Sequence, residues 1–266
     1  MDLELSGKTA IVTGGSRGIG KAIASELSRE GVDVILVARG REMLETTAAE
    51  LAQNTDREIV PITADTGDDS QVHKMVLGAA KSMGHIDILV NCAAKPALQR
   101  TSPMLSEITD SLFWEDVNVK VMGYLRCARE VAPYMRQQGW GRIINISGLA
   151  AKRTGSIIGS IRNIAVVAMS NNLADELGPF GINVNVVHPG FTRTEATPGV
   201  IEERANVENV SLQEMEKRMA NTNSSKRIID ANEIAYVVAF LASPKSAAIT
   251  GDSILDSGGN GPAINY

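Results

Sequence analysis

Two cysteines, three histidines and an aromatic content of 4% leave several kinds of chemistry thinly supplied in this chain of 266 residues. Cys92 and Cys127 fall inside apolar segments and read as small buried hydrophobes of a reducing compartment, not as a disulfide framework. His73, His85 and His188 are scattered, and none stands at metal-ligand spacing from a cysteine, so no metal is expected. No run approaches the ~18 consecutive apolar residues of a membrane span. The opening Met1-Asp2-Leu3-Glu4-Leu5 is acidic, with too short an apolar run for a secretory signal. A formal charge of -5 with both signs interspersed argues against nucleic acid or an anionic membrane surface as partner. The expectation is a cytoplasmic protein acting on a small molecule.

What the chain does have is rhythm. Short apolar runs recur at Thr9–Thr13, Val34–Val37, Ile59–Ile62, Ile86–Val90, Arg142–Ile146, Ile182–Val187 and Ser253–Leu255. Most are nearly continuous, as parallel strands buried on both faces require. Segments of helical period lie between them, such as Ile161, Ile164, Ala165, Ala168, Met169, Leu173 and Leu177. This alternation predicts an α/β fold: one doubly wound, mostly parallel sheet of about seven strands with helices on both faces, spanning 1–266 as a single domain. The rhythm breaks once, from about 191 to 229, where no strand is expected and Leu212, Met215 and Met219 stand at helical spacing. An insert after a strand's C-terminal end lies where such sheets bind ligands, so it reads as a substrate lid.

The first strand runs into Thr13-Gly14-Gly15-Ser16-Arg17-Gly18-Ile19-Gly20, and a helix-forming segment follows. Glycines there permit a tight turn and let backbone amides approach a pyrophosphate, while the helix N-terminus offers unpaired donors and positive partial charge. Gly14, Ser16, Arg17, Gly18, Ile19 and Gly20 are therefore the expected phosphate cradle of a Rossmann-type dinucleotide site.

The spacing G-x-x-x-G-x-G resembles the cofactor signature of the short-chain dehydrogenase/reductase family, and the resemblance extends over nearly the whole chain. It implies an adenine contact at Asp65, with Thr66 beside it. Asn91-Cys92-Ala93-Ala94 stands for the family's Asn-Asn-Ala-Gly, placing Asn91 and Ala93 at the cofactor. Asn118 corresponds to the helix asparagine that holds a catalytic water. Pro189-Gly190-Phe191-Thr192-Arg193-Thr194 resembles the turn over the nicotinamide, which adds Pro189, Gly190, Thr192 and Thr194. Ile249-Thr250-Gly251 and Ser257-Gly258-Gly259 resemble the family's ending.

Charge selects the nucleotide. A site for a ribose 2′-hydroxyl places Asp or Glu at the end of the second strand, about 20 residues past the glycines. This chain reads Val37-Ala38-Arg39-Gly40-Arg41 there, and Asp33 is at the strand's other end. Arg39 and Arg17 are suited to pair with a 2′-phosphate, so NADP(H) is expected over NAD(H).

The same resemblance exposes a gap. The family donates a proton from a Tyr, holds the nicotinamide ribose with a Lys four residues later and orients substrate with a Ser. Counting back from Gly181 puts the Tyr and Lys positions at Gly159 and Asn163, and no Tyr-x-x-x-Lys occurs anywhere in the chain. The serine position is Gly148, leaving Ser147 one residue early. A positioned general acid contributes about 10²–10⁴ in rate. Ser147 is a candidate donor to a substrate oxygen; His188, near the expected nicotinamide edge, and Arg162, one helical turn beyond Gly159, are weaker substitutes. Lys152 and Arg153 are candidates for attracting an anionic substrate.

Three readings stay open at this point: a carbonyl reductase or alcohol dehydrogenase with a rebuilt acid site, a dinucleotide-binding module without reductase activity, and a non-redox enzyme on the same scaffold. The resemblance also implies a homodimer or homotetramer, pairing through the long helices after the fourth and fifth strands and the C-terminal segment. Val166, Met169 and Leu173 suit such a face and suit burial within the subunit equally well.

Overall fold

A computed structural model describes residues 1–94 and 103–259; the chain beyond residue 259, expected to join in pairing, lies outside them. The strands are β1 (Thr9–Thr13), β2 (Asp33–Ala38), β3 (Ile59–Thr63), β4 (Ile88–Asn91), β5 (Gly141–Ile146), β6 (Ile182–Pro189), the short β7 (Thr192–Arg193) and β8 (Ile229–Asp230), and β9 (Ser253–Asp256). Seven of them form a parallel sheet in the order β3-β2-β1-β4-β5-β6-β9. The helices are α1 (Gly18–Arg29), α2 (Arg41–Thr55), α3 (Asp69–Met83), α4 (Asp110–Val117), α5 (Gly123–Gln138), α6 (Ile157–Leu177), α7 (Thr197–Glu208), α8 (Leu212–Ala220) and α9 (Ala231–Ala242).

Strand alternation assigns the helices to faces. Ala10, Val12, Val34, Leu36, Val90 and Ile144 point toward α1, α2 and α9, burying Ile23, Leu27, Leu44 and Val238. Ile11, Ile35, Leu89, Ile143 and Val184 point the other way, onto Val72 and Met75 of α3, Val131 of α5 and Leu177 of α6. Both faces are covered, which explains why the strands read as continuous apolar runs. The fourth strand begins two residues later than the run Ile86–Val90 implies, because buried Asp87 accepts from the Thr9 amide at 2.9 Å and from Lys8 Nζ at 3.3 Å.

Two expectations are corrected. The segment from 191 to 229 is not strand-free: Thr192 pairs with Ile229 and Arg193 with Asp230 in a two-residue parallel ladder that closes its base. So short a bridge leaves no alternation to detect. The insert carries its own small core, in which Val200, Ile201 and Ala205 meet Met215, Met219 and Ile228. On α6, the expected apolar stripe points partly outward: Ile161 and Ile164 are about half exposed, while Arg162, Asn163 and Ser170 are buried. Val166 is also buried, and Met169 and Leu173 are intermediate.

Candidate functional site

Strand β1 has β2 on one side and β4 on the other, so the chain order reverses at it and a crevice opens beyond the strand ends. A cavity of about 530 Å³ occupies this place. Thr13 sets its rim: its Oγ1 accepts from the amides of Cys92 at 3.0 Å and Ala93 at 3.2 Å, tying the exit of β4 to the glycine turn. Two glycines are demanded by geometry. Gly14 has φ +68 and a Cβ there would stand 3.0 Å from the Ala93 backbone; a Cβ on Gly20 would stand 2.2 Å from the Gly14 carbonyl oxygen.

Gly14, Ser16, Arg17, Gly18, Ile19, Gly20, Arg39, Asp65, Thr66, Ala93 and Thr194 line the cavity. Arg17, at the N-cap of α1, supplies no side-chain cap, which leaves the first amides of that helix to other acceptors. Arg17 and Arg39 are exposed, and neither side chain has an ion-pair or hydrogen-bond partner among the described residues. Asp33 is held at the opposite end of β2 by Arg57, at 2.8 Å. Asp65 Oδ1 accepts from the Gly67 amide at 2.8 Å and shapes the turn after β3.

Asn91, Pro189, Gly190 and Thr192 stand back from the cavity wall. Asn91 Nδ2 donates to Asn145 Oδ1 at 2.9 Å across β4 and β5. The Gly190 amide donates to Asp256 O at 3.1 Å, and Thr192 Oγ1 donates to Gly190 O at 3.0 Å, so these residues build the turn out of β6. Asn118 Nδ2 donates to Gly67 O at 3.0 Å, and its own carbonyl accepts from Arg126 Nη1 at 3.3 Å.

A buried polar cluster lies at the ends of β4 to β6. Lys120 is 4% exposed, and its Nζ donates to the Ser147 carbonyl at 2.8 Å. Burial, reinforced by the nearby Arg162 charge, pushes the Lys120 ammonium down to about 7. Arg162 is itself buried and ion-paired with Asp116. Ser147 Oγ donates to the Asn163 carbonyl at 3.2 Å, and a Cβ on Gly148 would lie 3.2 Å from Asn163 Nδ2. His188 is fully buried, with Nδ1 3.0 Å from the Gly148 carbonyl and no partner on Nε2; burial holds its pKa below the usual value. Asn163 Oδ1 and Arg162 Nε also lack partners among the described residues. Tyr124 is buried and committed: its hydroxyl donates to Ile146 O at 2.9 Å.

Sequence reasoning missed Lys120 and Glu195. Between α4 and α5 the helix widens into a π-turn, Asn118–Met122, which changes the direction of every side chain within it. A lysine flanked by Val119, Val121 and Met122 was the available signal. Glu195 sits in the insert, and its Oε1 accepts from the Gly18 amide at 2.8 Å; nothing in the local sequence couples it to a turn 177 residues away.

Comparison with known proteins gives this arrangement a lineage. A family profile described as enoyl-(acyl carrier protein) reductase matches residues 14–260. The dehydrogenase/reductase SDR family member 4 of Oryctolagus cuniculus is 30% identical over 258 residues, covering 96% of this chain and 94% of its own. The chain belongs to the short-chain dehydrogenase/reductase family. The short-chain reductase protein NovJ of Streptomyces niveus is 35% identical over 252 residues, covering 94% of this chain and 92% of its own. The L-sorbose reductase of Gluconobacter frateurii, solved with NADPH and L-sorbose, superposes with a TM-score of 0.92 at 28% identity over 99% of this chain and 100% of its own.

Proposed function

We propose that this family member is an NADP(H)-dependent oxidoreductase interconverting a carbonyl and an alcohol on a small molecule, with a catalytic site that departs from the family pattern. The observation that carries the cofactor assignment is the cavity at the glycine turn, with Arg17 and Arg39 at its rim and no carboxylate at the end of β2. A Cβ at Gly14 would press on the Ala93 backbone and one at Gly20 on the Gly14 carbonyl, so glycine at both keeps the tight turn that opens the backbone amides and the α1 N-terminus to a pyrophosphate. Arg17 and Arg39 fit a 2′-phosphate, since an arginine fork pairs with phosphate oxygens in two parallel hydrogen bonds. Relatives described as NADPH-dependent reductases support the same nucleotide.

When bound, the reduced nucleotide supplies hydride. The chain's own residues supply the rest: the glycine turn and α1 hold phosphates, Thr13 fixes the loop after β4, and the buried ends of β5 and β6 face the reacting end. Gly159 and Asn163 provide no phenol and no ammonium, so proton delivery falls to another group.

A fluorescence titration with NADPH, followed by a screen of ketones, aldehydes and quinones for its oxidation, tests this reading. Binding with turnover of a carbonyl is the expected result. Tight binding with no substrate oxidising the nucleotide would favour a binding module, and no binding at all would overturn the cofactor assignment.

A further inference from the structure

We infer that Lys120, reaching in from the π-turn between α4 and α5, supplies both the buried cation and the proton of the reduction site. The inference rests on the oxidoreductase reading above and names the group that reading leaves unassigned.

Three features of placement carry it. The ammonium is anchored on the carbonyl of Ser147, the residue between β5 and Gly148, so it stands where the ends of β4 and β5 meet α6. Only one of its three hydrogens has a partner among the described residues, and the other two remain for a substrate oxygen or a ribose hydroxyl. Its immediate sequence neighbour Val119 and its charge neighbour Cys92 both line the cavity, so the cluster adjoins the space a dinucleotide would fill.

The surroundings fit a proton donor. Arg162 of α6, Asp116 of α4, Cys92 after β4 and His188 of β6 are the ionisable groups near enough to interact with its charge. Asp116 is engaged by Arg162, so it does not neutralise Lys120 by direct pairing. Cys92 is pushed up to about 12 by burial and stays a thiol. Arg162 repels the ammonium, and with burial this brings its titration to about 7, where a donor works best at neutral pH. Asn163 Oδ1 and His188 Nε2, both buried, have no hydrogen-bond partner among the described residues.

The step balances. The carbonyl carbon accepts hydride from the reduced nicotinamide, and the carbonyl oxygen accepts a proton from the Lys120 ammonium. An alcohol, the oxidised nucleotide and a neutral amine result, and solvent water reprotonates the amine.

Protein labelled with ¹³C at lysine Cε reads the titration directly, with Lys120→Arg assigning the resonance in a spectrum otherwise unchanged. The expected midpoint is near 7 in the unliganded protein, with a displaced resonance on saturation with NADP⁺. A midpoint in the ordinary lysine range, or a resonance indifferent to bound NADP⁺, overturns the inference. In single-turnover reduction at saturating NADPH, Lys120→Met and Lys120→Arg should each slow hydride transfer about 100-fold or more. The arginine variant keeps charge but cannot deliver a proton, so wild-type rates in it overturn the role. Wild-type protein that binds no NADPH defeats the oxidoreductase reading instead, an outcome separate from every Lys120 result.

Discussion

Glu195 Oε1 accepts a hydrogen bond from the amide of Gly18 at 2.8 Å, which sets a carboxylate of the insert on the first amide of α1. A phosphate needs that amide and the positive end of that helix. Glu195 is therefore a competitor for the cradle. Glu195→Gln keeps an acceptor oxygen and removes the charge. NADPH should bind about 2–5-fold more tightly to this variant, from roughly 0.3–1 kcal/mol of helix-terminus charge interaction. Fluorescence titration at fixed ionic strength measures it, and weaker binding would show that the carboxylate assists the nucleotide.

The proposed function gives Arg39 the choice between the two nucleotides. It is exposed at the cavity rim and has no partner to release among the described residues. Arg39→Asp should repel a 2′-phosphate and accept from a 2′-hydroxyl, reversing the preference toward NADH. The ratio of the two dissociation constants is the readout; an unchanged ratio would remove Arg39 from the assignment.

Asp256 makes stability depend on pH. Burial, aided by the Glu233 charge, pushes its carboxyl up from 3.8 to about 6, and its Oδ2 has no partner. A folded pKa above the unfolded one means the native state prefers the protonated acid. The carboxylate therefore costs stability as pH rises from about 4 through 6. Asp256→Asn should melt higher than wild type at pH 8, and the gap should close by pH 4. Equal Tm values at pH 8 would contradict the burial argument.

The positions at 159 and 163 are open to direct repair. Ser147 Oγ is received by the backbone carbonyl of Asn163, so the side chain there can be exchanged without losing that bond. A side chain at 159 must displace Ser156 Oγ, 2.8 Å from its Cβ, and Ser156 caps α6. Gly159→Tyr with Asn163→Lys should therefore raise carbonyl reduction while lowering stability by about 1 kcal/mol through the weakened cap. A folded double variant with unaltered turnover would mean that the pocket has diverged at more than these positions.

The crevice at the glycine turn was legible because the pattern that marks it is local. The strand, glycine turn and helix are contiguous, and eleven of the residues expected at the cofactor line the cavity. The catalytic half was not, for reasons of geometry. Lys120 lies two residues past Asn118, a spacing that does not share one face of a regular helix, and both stand in the π-turn, which the sequence does not announce. Arg162 reads as a surface charge between Ile161 and Asn163, yet α6 turns its polar residues inward and Ile161 and Ile164 outward. A helix apolar on more than one side does not declare which side the core takes. Glu195 meets Gly18 only through the fold.

The satellite core of the insert has an energetic consequence. Val200, Ile201, Ala205, Met215, Met219 and Ile228 bury one another and share no cluster with the two cores of the sheet. The segment packs on itself and is joined to the rest by a two-residue ladder, the Glu195–Gly18 bond and the bond from the Ser225 amide to the Gly258 carbonyl, which makes it a foldon of its own. Its amides should exchange with solvent through a sub-global opening of low free energy while β1, β4 and β5 stay protected. Because Glu195 precedes α7 on this unit, each such opening would also lift a carboxylate from the first amide of α1, coupling the insert's local stability to access at the glycine turn.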